Sequence, residues 1–218
     1  MKNITATELI VQRKDGSASK INFGESSSWP AFRSELPIDR AFLGLLIFLG
    51  AETMFFAGLI SAFIILRAGS TGWPPLDQPR LPVAVTGVNT LFLLLSAVTM
   101  YRAVKAIRAG SQTMLTLWLS ATALLGIIFL GVQGFEWVRL VQFGLTFNSS
   151  IYGGTFYTLI GCHGLHVFAA VIALLFVLGR ATKRRYTAQH HTGVELCRMY
   201  WFFVVGIWPL LYFLVYLK

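Results

Sequence analysis

Acidic side chains are scarce in this sequence: nine Asp and Glu stand against eighteen Lys and Arg in 218 residues. Charged residues make up only 12 %, hydrophobic residues 56 %, and the mean hydropathy is +0.67. A soluble domain covers itself with charge, so this composition excludes one. Cysteine is nearly missing, with only Cys162 and Cys197. That excludes a disulfide-built secreted scaffold, and their different expected depths argue against pairing them. The first twenty residues hold no apolar core and do not read as a signal peptide. No apolar run alternates with period two, so a transmembrane barrel is not expected. There is no phosphate or dinucleotide loop, no internal repeat, and no pair of interrupted spans of the kind many transporters carry. No span carries the spaced histidines that would ligate haem and copper within one chain, so no metal site is expected.

What the sequence has is long apolar runs. Five of them, at 41–66, 81–100, 114–138, 156–178 and 199–217, approach or exceed the ~20 residues needed to cross a bilayer at ~1.5 Å rise each. The expected fold is therefore all-α, an integral membrane protein of five transmembrane helices. Residues 1–37 are polar and read as a flexible cytoplasmic tail before a membrane domain at 38–218.

The net charge of +9 raises the question of nucleic acid, but the distribution of charge points to a membrane. Fourteen of the Lys and Arg fall before span one, between spans two and three, or between spans four and five, and four fall on the other side. By the positive-inside rule this places the N-terminus inside and the C-terminus outside. The basic side is also suited to anionic lipid head groups. The segment 68–81, with Gly69, Gly72, Pro74, Pro75 and Pro79, cannot be helical and reads as an outer loop with Trp73 at the interface. Pro209 is expected to kink the last span near Val205.

Few polar groups interrupt the spans. Glu52 is the single charge within span one, eleven residues after Ala41 and so ~16 Å in, near the bilayer centre. Span one offers it no cation, since Arg40 and Arg67 lie ~18–23 Å away along the axis. A carboxylate there stays ionised only with a partner or water, which makes Glu52 a candidate proton site. His163 and His166, three apart in span four, lie on neighbouring parts of one helix face. They read as packed histidines bonded to another helix, with Glu136 of span three a possible partner. Gly161 and Gly164 thin that face and would let a neighbouring backbone approach. Glu136 lies near the outer interface with Trp137. It can pair with Arg139 at i,i+3 or reach His163, and spacing alone leaves both open. The loop from Arg180 to Arg198, which includes Arg184, His190 and His191, is basic enough to contact lipid phosphate.

Several of these stretches resemble one family in order along the chain. They are Ala51-Glu52-Thr53-Met54-Phe55-Phe56, Asn89-Thr90 through Ser96, Gln133-Gly134-Phe135-Glu136-Trp137, Tyr152-Gly153-Gly154-Thr155-Phe156 with Gly161-Cys162-His163-Gly164-Leu165-His166-Val167, and His190-His191-Thr192-Gly193-Val194-Glu195 with Tyr200-Trp201. Together they are similar to subunit III of cytochrome c oxidase, a haem-copper respiratory oxidase, in a short five-helix form. The chain departs from the family after Tyr-Trp: where the usual pattern is similar to His-Phe-Val-Asp, it has Phe202, Phe203, Val204 and Val205.

The resemblance implies an accessory, non-catalytic subunit of an oxidoreductase, working in aerobic electron transport and proton pumping. It implies no redox cofactor in this chain, with haem and copper in partner subunits and catalytic subunit I as the main partner. It also implies bound phospholipid in a cleft between helix bundles, support of proton uptake, and residence in the bacterial plasma membrane. Glu52 is then the proton-related residue, and Glu136, Trp137, His163, His166 and Arg184 the lipid-binding or structural polar ones. No nucleic-acid partner is implied. The alternatives are the homologous subunit of a quinol oxidase or nitric oxide reductase, or an independent proton or ion transporter using Glu52 and His166 as a relay.

Overall fold

The computed structural model describes residues 10–12, 18–20, 40–70, 72–73 and 81–217. Two units divide the chain at Ile38 and Asp39. In the first, β1 (Ile10–Gln12) pairs antiparallel with β2 (Ala18–Lys20), with Ile10 opposite Lys20. Paired strands are a feature that the expectation of a polar tail did not include. The rest of that segment, and the prolines of 74–80, lie outside the described residues.

The second unit is five helices, each long and apolar enough to cross a membrane. They are α1 (Arg40–Ala68), α2 (Val83–Arg108), α3 (Gln112–Gln142), α4 (Ile151–Thr182) and α5 (Thr192–Tyr212). A π-helical turn, Phe213–Leu217, follows α5. α1, α3 and α4 run past their apolar stretches at both ends, α2 at its C-terminal end and α5 at its N-terminal end, since polar side chains and water can satisfy helix ends beyond the hydrocarbon. Thus Arg102, Lys105 and Arg108, expected in a loop, form the last turns of α2. α4 begins at Ile151 because the Ser150 hydroxyl accepts from the Gly153 N–H at 3.1 Å. Gly110 (φ 77°) and Gly144 (φ 90°) close α2 and α3 in the left-handed conformation that glycine adopts at no steric cost. Arg184 takes the same position after α4 at φ 51°, where a side chain costs about 1–2 kcal/mol. Pro209 sits inside α5, which continues three residues beyond it before the π turn.

The bundle buries polar side chains among its apolar core and turns large apolar ones outward. Thr86, Asn89, Thr90, Ser96, Thr99, Thr122, Gln133, Glu136 and His163 are buried, while Met54 (79 % exposed), Ile47 and Phe176 face outward. In lipid there is no water to satisfy polar groups, so they turn inward and bond between helices. Thr99 and Thr122 join α2 to α3 at 2.8 Å. Asn89 Nδ2 donates to the Phe129 carbonyl at 3.0 Å. The indole N–H groups of Trp201 and Trp208 donate to Ser96 (3.1 Å) and Thr90 (2.8 Å), tying α5 to α2. Gly126 makes room for Trp201: a Cβ there would stand 2.6 Å from its ring.

α2 packs chiefly on α3 and also on α5, whereas α1 rests on α4 and α5. α1 buries only Phe56 and Phe63. α1 is therefore joined to the bundle through α4 and α5, while α2 is joined to it through α3 and α5. At the basic end, Glu195 of α5 gathers two guanidinium groups and an imidazole. Arg108 Nη2 reaches it at 2.7 Å, Arg198 Nη2 at 2.8 Å and His191 Nε2 at 3.6 Å. Arg108 is largely exposed, so its pair contributes only ~0.2–1 kcal/mol. Glu195→Gln is expected to lower the melting temperature of the protein by a few degrees in a thermal scan, with the effect shrinking in high salt.

Candidate functional site

α1 crosses α4 where Glu52 meets His166. His166 Nε2 stands 2.8 Å from Glu52 Oε2. His166 Nδ1 stands 2.7 Å from the carbonyl oxygen of Cys162. A carbonyl only accepts, so Nδ1 carries a proton and donates it. The short Nε2···Oε2 contact then holds one further proton, in one of two arrangements. Either a neutral carboxylic acid donates to a bare Nε2, or an imidazolium donates to a carboxylate. The pair has no net charge in both, and the two differ only by the position of one proton across 2.8 Å. The contact joins a carboxyl and an imidazole from two helices, α1 and α4, through one hydrogen bond.

Aromatic rings wall the pair. Phe56 meets the His166 ring edge-on with centroids 5.0 Å apart, and Phe55 lies 6.2 Å away on the other side. Both carboxyl and imidazole keep a little exposure, 19 % and 16 % of their side chains. Glu52, read from sequence as a carboxylate without a partner in its own span, is therefore partnered from span four.

The remaining candidates do not converge on this pair. Glu136, 5 % exposed, bonds to Arg139 at 3.4 Å, which selects the i,i+3 alternative over a contact with His163. His163 instead lies on the face of Trp208, with centroids 5.0 Å apart and planes at 26°. Trp137 packs its indole into the notch at Gly164, where a Cβ would come within 2.9 Å of the ring. A side chain, not a backbone, fills that thinned face, and nothing approaches within 4 Å of the Cβ position at Gly161. Arg184 stands past the far end of α4, twenty-one residues and ~32 Å from His163 along the axis. There it borders a groove of about 460 Å³ with Gln112, Thr116, Ser120 and Thr182. A second groove of about 630 Å³, unremarked in the sequence, runs between α1, α4 and α5, with Leu45, Phe48, Phe176 and Tyr200 as walls and Arg180 at its edge. Among the described residues no group of three or more His, Cys, Asp or Glu is placed to hold a metal ion. Cys162 and Cys197 are both free thiols.

The pairing of Glu52 with His166 links residues 114 positions apart. Spacing rules within one helix cannot reveal such a contact. The usable signal was that two ionisable groups in separate spans each need a partner.

Comparison with known proteins bears on all of this. Residues 37–218 match the family model described as cytochrome c oxidase subunit III. The chain is 39 % identical over 180 residues to cytochrome c oxidase subunit 3 of Synechocystis, covering 82 % of this chain and 76 % of that one. It is 36 % identical over 176 residues to the same subunit of Thermostichus vulcanus, covering 80 % and 86 %. With that of Bacillus subtilis it shares 32 % identity over 195 residues, covering 88 % and 94 %. A match over most of the chain, together with five helices long and apolar enough to cross a membrane, leads to one assignment: the chain belongs to the cytochrome c oxidase subunit III family.

Proposed function

We propose that this chain is the accessory third subunit of a haem-copper terminal oxidase, and that its own chemical contribution is the Glu52–His166 proton pair. The observation that carries this reading is the 2.8 Å contact between two ionisable side chains from different helices, held by the Cys162 carbonyl. Such a pair accepts and returns one proton with little reorganisation, which suits a group that tunes proton uptake by a neighbouring catalytic subunit. It offers no means of electron transfer. Haem and copper belong to partner subunits, with subunit I the direct neighbour, and the membrane is the bacterial plasma membrane.

The clustering of Arg108, Arg198 and Glu195 at one end of the bundle supports an orientation with that end, and the N-terminus, inside. The same end suits phospholipid. Arg184, held outward by its left-handed backbone, lies beside a hydroxyl-lined groove, and Arg180 edges the apolar one. A head-group phosphate on the guanidinium and acyl chains along the helices fit that arrangement. Glu136, Trp137 and His163 serve the bundle's internal packing in this reading.

The test is affinity purification of the tagged chain in mild detergent. Haem-copper oxidase bands in the visible spectrum are expected to copurify, and phospholipid to remain bound. Arg184→Gly, which suits the backbone and removes the cation, is expected to lower the phospholipid retained while keeping the haem. Recovery of a stable, haem-free chain with no oxidase subunit would overturn the reading.

A further inference from the structure

The cavity between α3, α4 and α5 has about 80 Å³ of space. His163, Gln133, Trp137 and Trp208 line it, with Gly134 and Gly164 on its margin. Four polar atoms of that lining have no protein partner: both ring nitrogens of His163, Gln133 Oε1 and Trp137 Nε1. His163 is 1 % exposed and Gln133 5 %. Another subunit therefore cannot reach them, and whatever satisfies them must fit inside the chain's own bundle.

The geometry leaves these groups little freedom to find partners among themselves. The His163 ring is stacked on Trp208, which is itself fixed by its N–H bond to Thr90. Gln133 is held through Nε2, which donates to the Tyr216 hydroxyl at 3.2 Å. Trp137 is wedged at Gly164. Glu136, the nearest carboxylate in sequence, is engaged by Arg139 and does not line the cavity. Phe56 stands edge-on to both His163 and His166, so the Glu52–His166 pair is a separate site.

The chemistry of the lining selects the ligand. A neutral imidazole offers one donor and one acceptor, indole offers a donor, and the amide oxygen an acceptor. Two donors and two acceptors, with no carboxylate and no ammonium or guanidinium among them, suit neither a cation nor an anion. They suit water, which donates and accepts equally. At ~30 Å³ per molecule, the space admits two or three. We propose that this cavity is a structural water site, in which two or three ordered waters bridge His163, Gln133 and Trp137 and so join α3 to α4 inside the membrane. This does not depend on the proton-pair reading, since it concerns different residues.

The experiment uses the intact complex that contains this chain. A cryo-EM map at a resolution that shows waters is expected to contain density within hydrogen-bond distance of His163 and Gln133. X-ray hydroxyl-radical footprinting, in which bound water generates the label, is expected to oxidise Trp208 even though it is fully buried. In His163→Leu, that labelling should fall severalfold and the density should go. His163→Gln, which restores a donor and an acceptor, should recover both. A cavity without density that takes up xenon under pressure is dry, and would overturn the proposal. So would the absence of label on Trp208 in the wild-type complex. Should His163→Leu fail to assemble, the wild-type map, xenon and footprinting results still decide.

Discussion

Glu52→Gln is expected to leave assembly and haem content near wild-type while slowing turnover at alkaline pH, where proton supply limits. The amide keeps the size of the carboxyl and can donate to the bare Nε2 of His166, whose Nδ1 remains bonded to the Cys162 carbonyl. What disappears is the titratable proton between the two side chains. The slowing should stay below the ~100-fold that marks the loss of a group acting directly on the reacting centre, because the role proposed for the pair is to tune proton uptake rather than to act on that centre. Proton pumping measured alongside turnover should fall in the same pH range. A cycle separates function from packing. Glu52→Leu and His166→Leu each strand one polar partner in an apolar wall, and each should cost about 1–3 kcal/mol. The double Leu variant, with neither partner stranded, should regain stability but not alkaline turnover, giving a coupling of about 0.5–3 kcal/mol in a double-mutant cycle. Wild-type turnover and pumping in Glu52→Gln at every pH would leave the pair a purely structural contact.

A second large effect on stability is expected at Gly153. In Gly153→Ala the new Cβ would stand 2.3 Å from the backbone oxygen of Thr146 and 2.8 Å from Ser149 Oγ. Backbone cannot step aside as a side-chain tip can. The 143–150 loop folds tightly over the first turn of α4, where the Ser149 hydroxyl donates to Thr146 O at 2.8 Å and Tyr157 OH donates to Leu145 O at 2.8 Å. Displacing it should cost about 1–3 kcal/mol, read as a lower melting temperature and poorer assembly. Gly161→Ala is the control. Nothing lies within 4 Å of its Cβ position, so helix propensity should dominate and stability rise by up to about 1 kcal/mol. Equal effects at the two glycines would refute the packing assigned to the Tyr152-Gly153-Gly154 turn.

How far the sequence could be read differs from feature to feature. The five spans were legible because each is a long apolar run, a signal that needs no tertiary information. Their ends were not, since caps and basic side chains carry helices beyond the apolar part, as at Ser150 and Arg108. Glu52 stood out as the one charge in its span, and His166 was named with it only in the transporter alternative, because a partner from a helix more than a hundred residues away leaves no local spacing signal. Two readings of Glu136 were open. Arg139 is close on its own helix, while His163 is committed to Trp208. A Trp–His stack between α4 and α5 leaves no trace in local spacing. The grouping of helices was likewise hidden, since α1 packs on α4 and α5 across most of the chain.

The central claim is that this chain assists an oxidase without holding a redox centre. Stripping it from the purified complex with detergent and then adding it back tests that most directly. The account predicts that all haem and copper stay with the remaining subunits. It further predicts that turnover falls chiefly at alkaline pH, and that added wild-type chain restores it while the Glu52→Gln chain does not. Haem leaving with this chain, or a depleted complex that turns over and pumps as before at every pH, would contradict it.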